Sequence, residues 1–264
     1  MWTALRATEL IEIRESAVRR MLNEVDHICA VCEWVKDVLL RNGVPAKKIT
    51  VSRQGVPYAL RVSQDATLPR EPGKLRLVFL GRLDRMKGLE TVIDAMARVP
   101  STAVTLDIFG IAQGDAARRE REKLERRTAG DSRIRFRDPV AADQVVGLLR
   151  NYDALLVPSL CLETGPLVVY EAFAAGIPVI GSNLGGIAEL VDDRVNGLLV
   201  ETGLPGKWAE AIQRLMHEPA LLARLAGGPK RIRTAEDTAR DMAAVYARVI
   251  ERPTNRPIAQ EQIA

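Results

Sequence analysis

Two cations stand just past an apolar run in the segment Gly81-Arg82-Leu83-Asp84-Arg85-Met86-Lys87-Gly88. Glycine at the end of a strand lets backbone approach a ligand closely, and the start of a following helix presents free backbone N–H groups. With Arg82 and Lys87 beside them these features suit a diphosphate, each charge-assisted hydrogen bond being worth about 1.5–3 kcal/mol. Two surface cations on an ordinary turn are the plain alternative. The spacing is neither GxGxxG nor a Walker loop, so neither dinucleotide nor P-loop binding follows from it.

A second constellation follows Pro158-Ser159 and runs from Glu163 through Thr164-Gly165-Pro166-Leu167 to Glu171 and Ala175-Gly176-Ile177-Pro178. Glu163 falls in a loop, whereas Glu171 falls inside a helix among Val169, Ala172 and Phe173. A carboxylate in apolar surroundings needs a hydroxyl or cation partner, and vicinal ribose hydroxyls are the natural ligand. The loop carboxylate can accept hydrogen bonds from sugar hydroxyls. A glycoside hydrolase also uses two carboxylates, but its chemistry does not ask for phosphate-suited cations and a helix N-terminus beside them. In the third segment, Gly185-Gly186-Ile187-Ala188-Glu189, glycines precede a helix start. That is either another anion site or a plain tight turn.

Metal and thiol chemistry are weaker readings. Cys29 and Cys32 form a CxxC after His27, but only Cys161 and His217 remain elsewhere to complete four zinc ligands. Residues 27–32 read as a short apolar strand, which points the two thiols to opposite faces as small buried hydrophobes.

These residues are positioned by an alternating series of elements. Apolar residues at helical spacing from Leu5 to Val25 predict a helix packed in a core rather than one lying on a membrane. The strand at 27–32, a helix over 33–41 closed by Asn42-Gly43, and a strand at 48–53 come next. The stretch 55–73, with Pro57, Pro69 and Pro72 and no periodicity, reads as a linker. Apolar strands at 75–81, 104–110, 133–137, 153–157, 178–182 and 197–200 then alternate with helices at 89–98, 115–128, 141–150, 168–175 and 187–191. Further helices fall at 206–216, 219–226 and 235–250. Near-continuous apolar strands separated by helices predict an α/β fold with a doubly wound parallel sheet, its ligand site past the carboxyl ends of the strands.

With 264 residues, 47% hydrophobic and 27% charged, the chain has an ordinary globular composition. At roughly 150 residues per domain it allows about 1.8 domains. Disordered, collagen-like and disulfide-stapled classes are excluded. No apolar run reaches the length of a membrane span, and the start lacks a signal-peptide pattern, which makes a cytoplasmic protein the expectation. The net charge of +4 comes from 38 basic residues scattered among 34 acidic ones. The dense run 118–127 alternates in sign and reads as a solvated helix face rather than a nucleic-acid surface.

Taken in order, Gly81-Arg82 with Lys87-Gly88, Pro158-Ser159, glutamates eight apart before Ala-Gly-x-Pro-Val, and Gly185-Gly186 with Glu189 resemble a known family. They are similar to the C-terminal, donor-binding domain of the group 1 (family 4) retaining glycosyltransferases of GT-B fold, over roughly residues 20–250. The resemblance implies a nucleotide-diphosphate sugar donor, transfer with retention to an unknown acceptor in glycan or glycoconjugate biosynthesis, and no metal or other cofactor. It gives catalytic roles to Arg82 and Lys87, which would neutralise the diphosphate, and to Glu163, which would hold the donor sugar. Glu171 would hold the ribose, with Gly81, Thr164, Gly165, Pro166, Leu167, Gly185 and Gly186 completing the donor-binding set. Pro166 stands where the family often has glycine, and proline offers no N–H. Arg137-Asp138-Pro139 replaces a glycine-containing turn near the base, which leaves UDP against GDP open.

The resemblance also divides the chain. Residues 1–54 match only the end of an acceptor domain, 55–73 form the linker, 74–234 the donor domain, and 235–264 a helix and tail packing back toward the first domain. The expected partners are therefore the nucleotide sugar, an acceptor, and a dimer mate or partner chain supplying the acceptor half, with peripheral membrane association left open. A non-catalytic nucleotide-sugar-binding subunit is the alternative reading. A nucleotide-sugar 2-epimerase would need carboxylates and a histidine from the first domain.

Overall fold

The computed structural model describes residues 6–56, 73–228 and 232–251. Most of the expected linker and the tail beyond Glu251 lie outside the described residues. The N-terminal segment comprises α1 (Ala7–Glu24), β1 (Ile28–Ala30), α2 (Glu33–Arg41) and β2 (Ile49–Val51). The larger unit comprises β3 (Leu75–Arg82), α3 (Leu89–Met96), β4 (Val104–Ile111), α4 (Gly114–Thr128), β5 (Ile134–Arg137), α5 (Val145–Leu149) and β6 (Ala154–Val157). It continues with α6 (Leu167–Ala174), β7 (Val179–Ser182), α7 (Gly185–Leu190), β8 (Gly197–Val200), α8 (Pro205–His217) and α9 (Pro219–Gly227), and α10 (Ala235–Ile250) follows.

The six strands of the larger unit are all parallel, in the order β5-β4-β3-β6-β7-β8. β6 and β7 are buried along their whole length, which is why they read as unbroken apolar runs. One face of the sheet is covered by Val92 and Met96 of α3, Trp208, Ile212 and Leu215 of α8, and Leu221 and Leu225 of α9. The other is covered by Val145 and Leu149 of α5, Val169, Ala172 and Phe173 of α6, and Ile187 of α7. Chain order reverses direction between β3 and β6, so the crevice at their carboxyl ends is the topological switch point at which such sheets bind ligands. Arg82 ends β3, and Pro158-Ser159 follow β6.

Local chemistry explains several boundaries. The expected helix at 141–150 begins as a tight turn over Ala142–Gln144 and is α-helical only from Val145. The mixed-charge run lies on α4, where Arg118 pairs with Asp115, Arg121 with Glu125, and Lys123 and Arg127 reach Glu90 and Asp94 of α3. The start of α10 is set by a capping box, in which Thr234 Oγ1 accepts from Asp237 N at 3.3 Å and Asp237 Oδ2 accepts from Thr234 N at 2.9 Å.

The N-terminal segment corrects one expectation. β1 and β2 pair in parallel, with Ile28 opposite Ile49, and enclose a small core of Ala30, Val44 and Ile49. No residue of α1 is buried, and Leu10, Ile11, Ile13, Val18 and Met21 are exposed. A two-stranded sheet offers too little surface to cover the apolar side of an 18-residue helix. A groove of about 980 Å³ therefore remains between α1 and residues 41–48. α10 touches this segment through Ser52 Oγ, which donates to Asp241 at 3.2 Å, and through Thr238 Oγ1, which donates to the Arg53 carbonyl at 3.2 Å.

Candidate functional site

After β3 the chain makes a tight turn over Arg85–Lys87, capped by Asp84, whose carboxylate accepts from Lys87 N at 3.2 Å. Gly88 closes the turn with φ +68°, and a Cβ there would lie 1.9 Å from the Pro158 carbonyl oxygen. Only glycine permits that approach. Leu160 N donates to the Met86 carbonyl at 2.7 Å, joining the turn to the loop after β6.

This joint delivers Lys87 to Glu163. Lys87 Nζ donates to Glu163 Oε1 at 2.6 Å, and the buried Ser159 Oγ donates to the same oxygen at 2.7 Å. Among the described residues no hydrogen bond reaches Glu163 Oε2. Arg82 does not join the pair. Its side chain is 61% exposed, and its nearest acid is Asp84 at 3.7 Å. The two cations thus differ, one already holding a carboxylate and the other extended into solvent at the mouth of the switch-point crevice.

The loop continues through the exposed Thr164 to Gly165, where φ is +122° and the space around the α-carbon is open. Pro166 caps α6 with φ −66°. Its fixed dihedral suits a helix start; Val169 N donates to the Pro166 carbonyl at 3.1 Å, which leaves the N–H groups of Leu167 and Val168 without a partner within the helix. Glu171 lies one turn further in, 8% exposed. Burial alone pushes its carboxyl above the usual carboxylate range, and among the described residues no hydrogen bond or ion pair reaches it. Gly81 is under no comparable packing constraint, since a Cβ there would meet only the Phe79 ring at ordinary contact distance.

Gly186 packs against the same loop. A Cβ at Gly186 would lie 2.6 Å from Gly165 N, and its own N–H donates to the Glu163 carbonyl at 2.7 Å. That N–H is engaged with protein. Gly185, with φ +53°, abuts Leu162 and Glu163. The paired glycines form the back wall of the Glu163 loop.

Three residues outside the expected set support this wall. Trp34 Nε1 donates to the Glu163 carbonyl at 2.8 Å from 129 residues away. Glu189 turns from the loop toward the N-terminal segment, accepting from Glu33 N at 2.9 Å and Trp34 N at 2.8 Å and pairing with Arg53 at 2.7 Å. Burial raises the Glu189 pKa, but the two backbone N–H groups and Arg53 outweigh it and hold the carboxyl below its usual range. No local spacing announces these contacts: Glu189 stands in the Gly185-Gly186 segment and Arg53 two residues past β2, and nothing along the chain joins them.

The cysteines take no part. β1 ends at Ala30, so Cys32 is not on the strand but forms the N-cap of α2, where it is buried, while Cys29 is half-buried. Burial pushes both thiols up, away from a reactive thiolate. Among the described residues no group of three or more His, Cys, Asp or Glu side chains is placed to hold a metal ion, and no helix is long and apolar enough to cross a membrane.

A parallel sheet with a switch-point site of this kind is the architecture of the GT-B glycosyltransferases, and solved structures agree. One superposes on Anabaena Alr3699/HepE in complex with UDP and glucose with a TM-score of 0.74, at 20% identity, covering 88% of this chain and 66% of that one. Sucrose-phosphate synthase from Thermosynechococcus elongatus gives 0.73 at 26% identity over 90% of this chain and 62% of that one. The family model "Glycosyl transferases group 1" matches residues 63–229, and the chain belongs to this family. Among curated relatives, the D-inositol 3-phosphate glycosyltransferase of Rhodococcus opacus (strain B4) is 30% identical over 225 residues, 81% of this chain and 50% of that protein. That of Corynebacterium jeikeium (strain K411) is 36% identical over 144 residues, 52% of this chain and 34% of the relative. The chain thus spans about half the length of the first of these relatives.

Proposed function

We propose that this chain carries the donor half of a group 1 glycosyltransferase and binds a nucleotide-diphosphate sugar in the switch-point crevice. The observation that carries the reading is the convergence of Lys87 and Glu163, 2.6 Å apart across 76 residues of sequence, at the carboxyl ends of β3 and β6. Arg82 and Lys87 neutralise the diphosphate, with the first-turn N–H groups of α6 behind it. Glu163 accepts from sugar hydroxyls, and Glu171, buried without a partner among the described residues, accepts from the ribose. Thr164, Gly165, Pro166 and Leu167 line the sugar and phosphate, and Gly81 allows close approach at the end of β3. A diphosphate arriving at Lys87 shares the ammonium with Glu163, so donor binding and the orientation of the sugar-holding carboxylate are coupled. The UDP and glucose named with the Anabaena structure support a nucleotide sugar as ligand.

Transfer proceeds with retention. The leaving phosphate takes the proton of the acceptor hydroxyl while the bond between the anomeric carbon and phosphate breaks and the new glycosidic bond forms on the same face. Charge grows on the phosphate in this step, and Arg82 and Lys87 stabilise it electrostatically. No resident metal or other cofactor takes part. Residues 1–54 represent the end of the acceptor-binding domain, and a dimer mate or partner chain supplies the acceptor half. Isothermal titration with UDP, GDP, UDP-glucose and GDP-mannose tests the reading. Binding of one nucleotide series is expected, weakened about tenfold or more by Lys87→Ala, the loss of one charge-assisted hydrogen bond. Arg82→Ala is expected to weaken it less, because the side chain is already solvated. Absence of heat with all four ligands would refute it.

A further inference from the structure

Glu163 is held at both ends, and one of the holds comes from the N-terminal segment. Its carboxylate is fixed through Oε1 by Lys87 and Ser159, and its carbonyl accepts from Gly186 N and from Trp34 Nε1. Trp34 cannot drift from that position, because its own backbone N–H and that of Glu33 are held by Glu189, which Arg53 neutralises. Glu189 belongs to α7, the helix that Gly185 and Gly186 begin. The contacts therefore close a ring: α7 to the first turn of α2, α2 through the indole to the Glu163 carbonyl, and that carbonyl back to the start of α7. Each link is a hydrogen bond of 2.7–2.9 Å.

The loop Leu160–Pro166 is tied within the larger unit at Leu160, which donates to the Met86 carbonyl, and at Glu163, through Lys87, Ser159 and Gly186. It carries no regular structure, Leu160, Leu162 and Thr164 are exposed, and Gly165 has open space around it. A glycine adds freedom to a segment rather than restraint. The indole is thus the one side chain from outside the larger unit that is hydrogen-bonded to the Glu163 backbone among the described residues.

We propose that Trp34 is a positioning residue: through its Nε1–H it sets the Glu163 backbone, and with it the carboxylate that holds the donor sugar, so that docking of the N-terminal segment is read out as sugar affinity. The proposal rests on the donor reading given above. The nucleotide is held by Arg82, Lys87 and Glu171, none of which Trp34 touches; only Lys87 is linked to Glu163, so loss of the indole contact falls more heavily on the sugar than on the nucleotide. A loop displaced by even part of an ångström loses directional hydrogen bonds to hydroxyls, which weaken steeply as the geometry departs from linear.

The test is titration of the chain with each nucleotide and its sugar, UDP with UDP-glucose and GDP with GDP-mannose, in the unsubstituted protein, Trp34→Phe, Glu163→Gln and the double variant. The ratio of sugar-nucleotide to nucleotide affinity is the quantity read. Trp34→Phe keeps an aromatic ring but loses the five-membered part of the indole with its N–H; the neutral hydrogen bond lost with it is worth about three- to tenfold. The expected result is a fall of that size in the ratio with nucleotide affinity unchanged within twofold. In the Glu163→Gln background the same substitution is expected to have less than a twofold effect, because coupled residues are non-additive. A general structural role would lower nucleotide and sugar-nucleotide affinity together and would act equally in both backgrounds. An unchanged ratio in Trp34→Phe, or an undiminished effect beside Glu163→Gln, overturns the proposal while leaving the donor reading intact. Failure of the unsubstituted chain to bind any of the four ligands refutes both.

Discussion

Replacing Glu171 by glutamine should make the chain more stable and a poorer binder, and the two effects should separate with pH. In the folded chain this carboxylate is buried in α6, and its pKa is raised by burial alone. A raised folded pKa means the native state holds its proton at pH values where the unfolded chain has lost it. Stability is then greatest below the ordinary glutamate range and falls as pH rises through the folded value. Burying a polar group without a compensating hydrogen bond costs about 1–3 kcal/mol by protein mutational data. Glutamine carries no charge but keeps polar atoms that also want partners, so recovery should fall at the low end, about 1 kcal/mol. In a chain of this size that corresponds to a gain of about 2–4 °C in Tm.

Calorimetric scans of both proteins at pH 4 and pH 8 provide the assay. The Glu171→Gln protein should melt higher at pH 8, with the difference shrinking toward zero at pH 4, where the native carboxyl is protonated and resembles the amide. A ribose held by an ionised acceptor should then lose about tenfold or more in affinity in the variant. A Tm difference independent of pH, or a wild-type chain that is the more stable of the two at pH 8, would show that the carboxylate has a stabilising partner and refute the reasoning.

Other substitutions probe the frame around the site. Gly88→Ala places a Cβ 1.9 Å from the Pro158 carbonyl at a φ of +68°, and denaturant unfolding should show a loss of at least about 2 kcal/mol, since the left-handed conformation alone costs about 1–2 kcal/mol. Trp208→Ala empties the centre of one sheet face and should cost about 3–5 kcal/mol in the same experiment. Glu189 has a depressed pKa, so its stabilisation is present above the ordinary glutamate range and lost as pH falls through the folded value. Amide exchange at Glu33 and Trp34, corrected for intrinsic rates, should accordingly become less protected at low pH, and Glu189→Ala should abolish that protection at every pH.

Much of the fold is legible because its periodicity is local. β6 and β7 are buried on both faces, so each reads as a continuous apolar run, and the observed strands fall within a residue of the expected ones. The bounds of α2, Glu33–Arg41, follow from amphipathic spacing closed by Asn42-Gly43. The first helix shows where that logic stops. Apolar residues at helical spacing do specify α1, but whether such a face is covered depends on neighbours, and among the described residues it faces an open groove bounded by residues 41–48. Cys32 is a similar case: the short apolar run 27–32 predicts a strand through it, whereas the backbone turns there to start α2.

The residue types needed for a site were likewise present in the sequence, since Arg82, Lys87, Glu163 and Glu171 stand out as charges in apolar or glycine-rich surroundings. Their chemistry depends on side-chain identity, and that is written residue by residue. Tertiary structure alone decided their partnerships. Lys87 meets Glu163 because β3 and β6 are neighbours at the switch point and Gly88 admits the Pro158 carbonyl. Glu189 faces Arg53, and Trp34 reaches the Glu163 carbonyl, because a segment more than a hundred residues distant docks against α7. Hydrogen bonds act over about 3 Å, whereas sequence spacing reports only what lies within a few residues along the chain. Contacts between distant segments exist only once the sheet has set their positions in space.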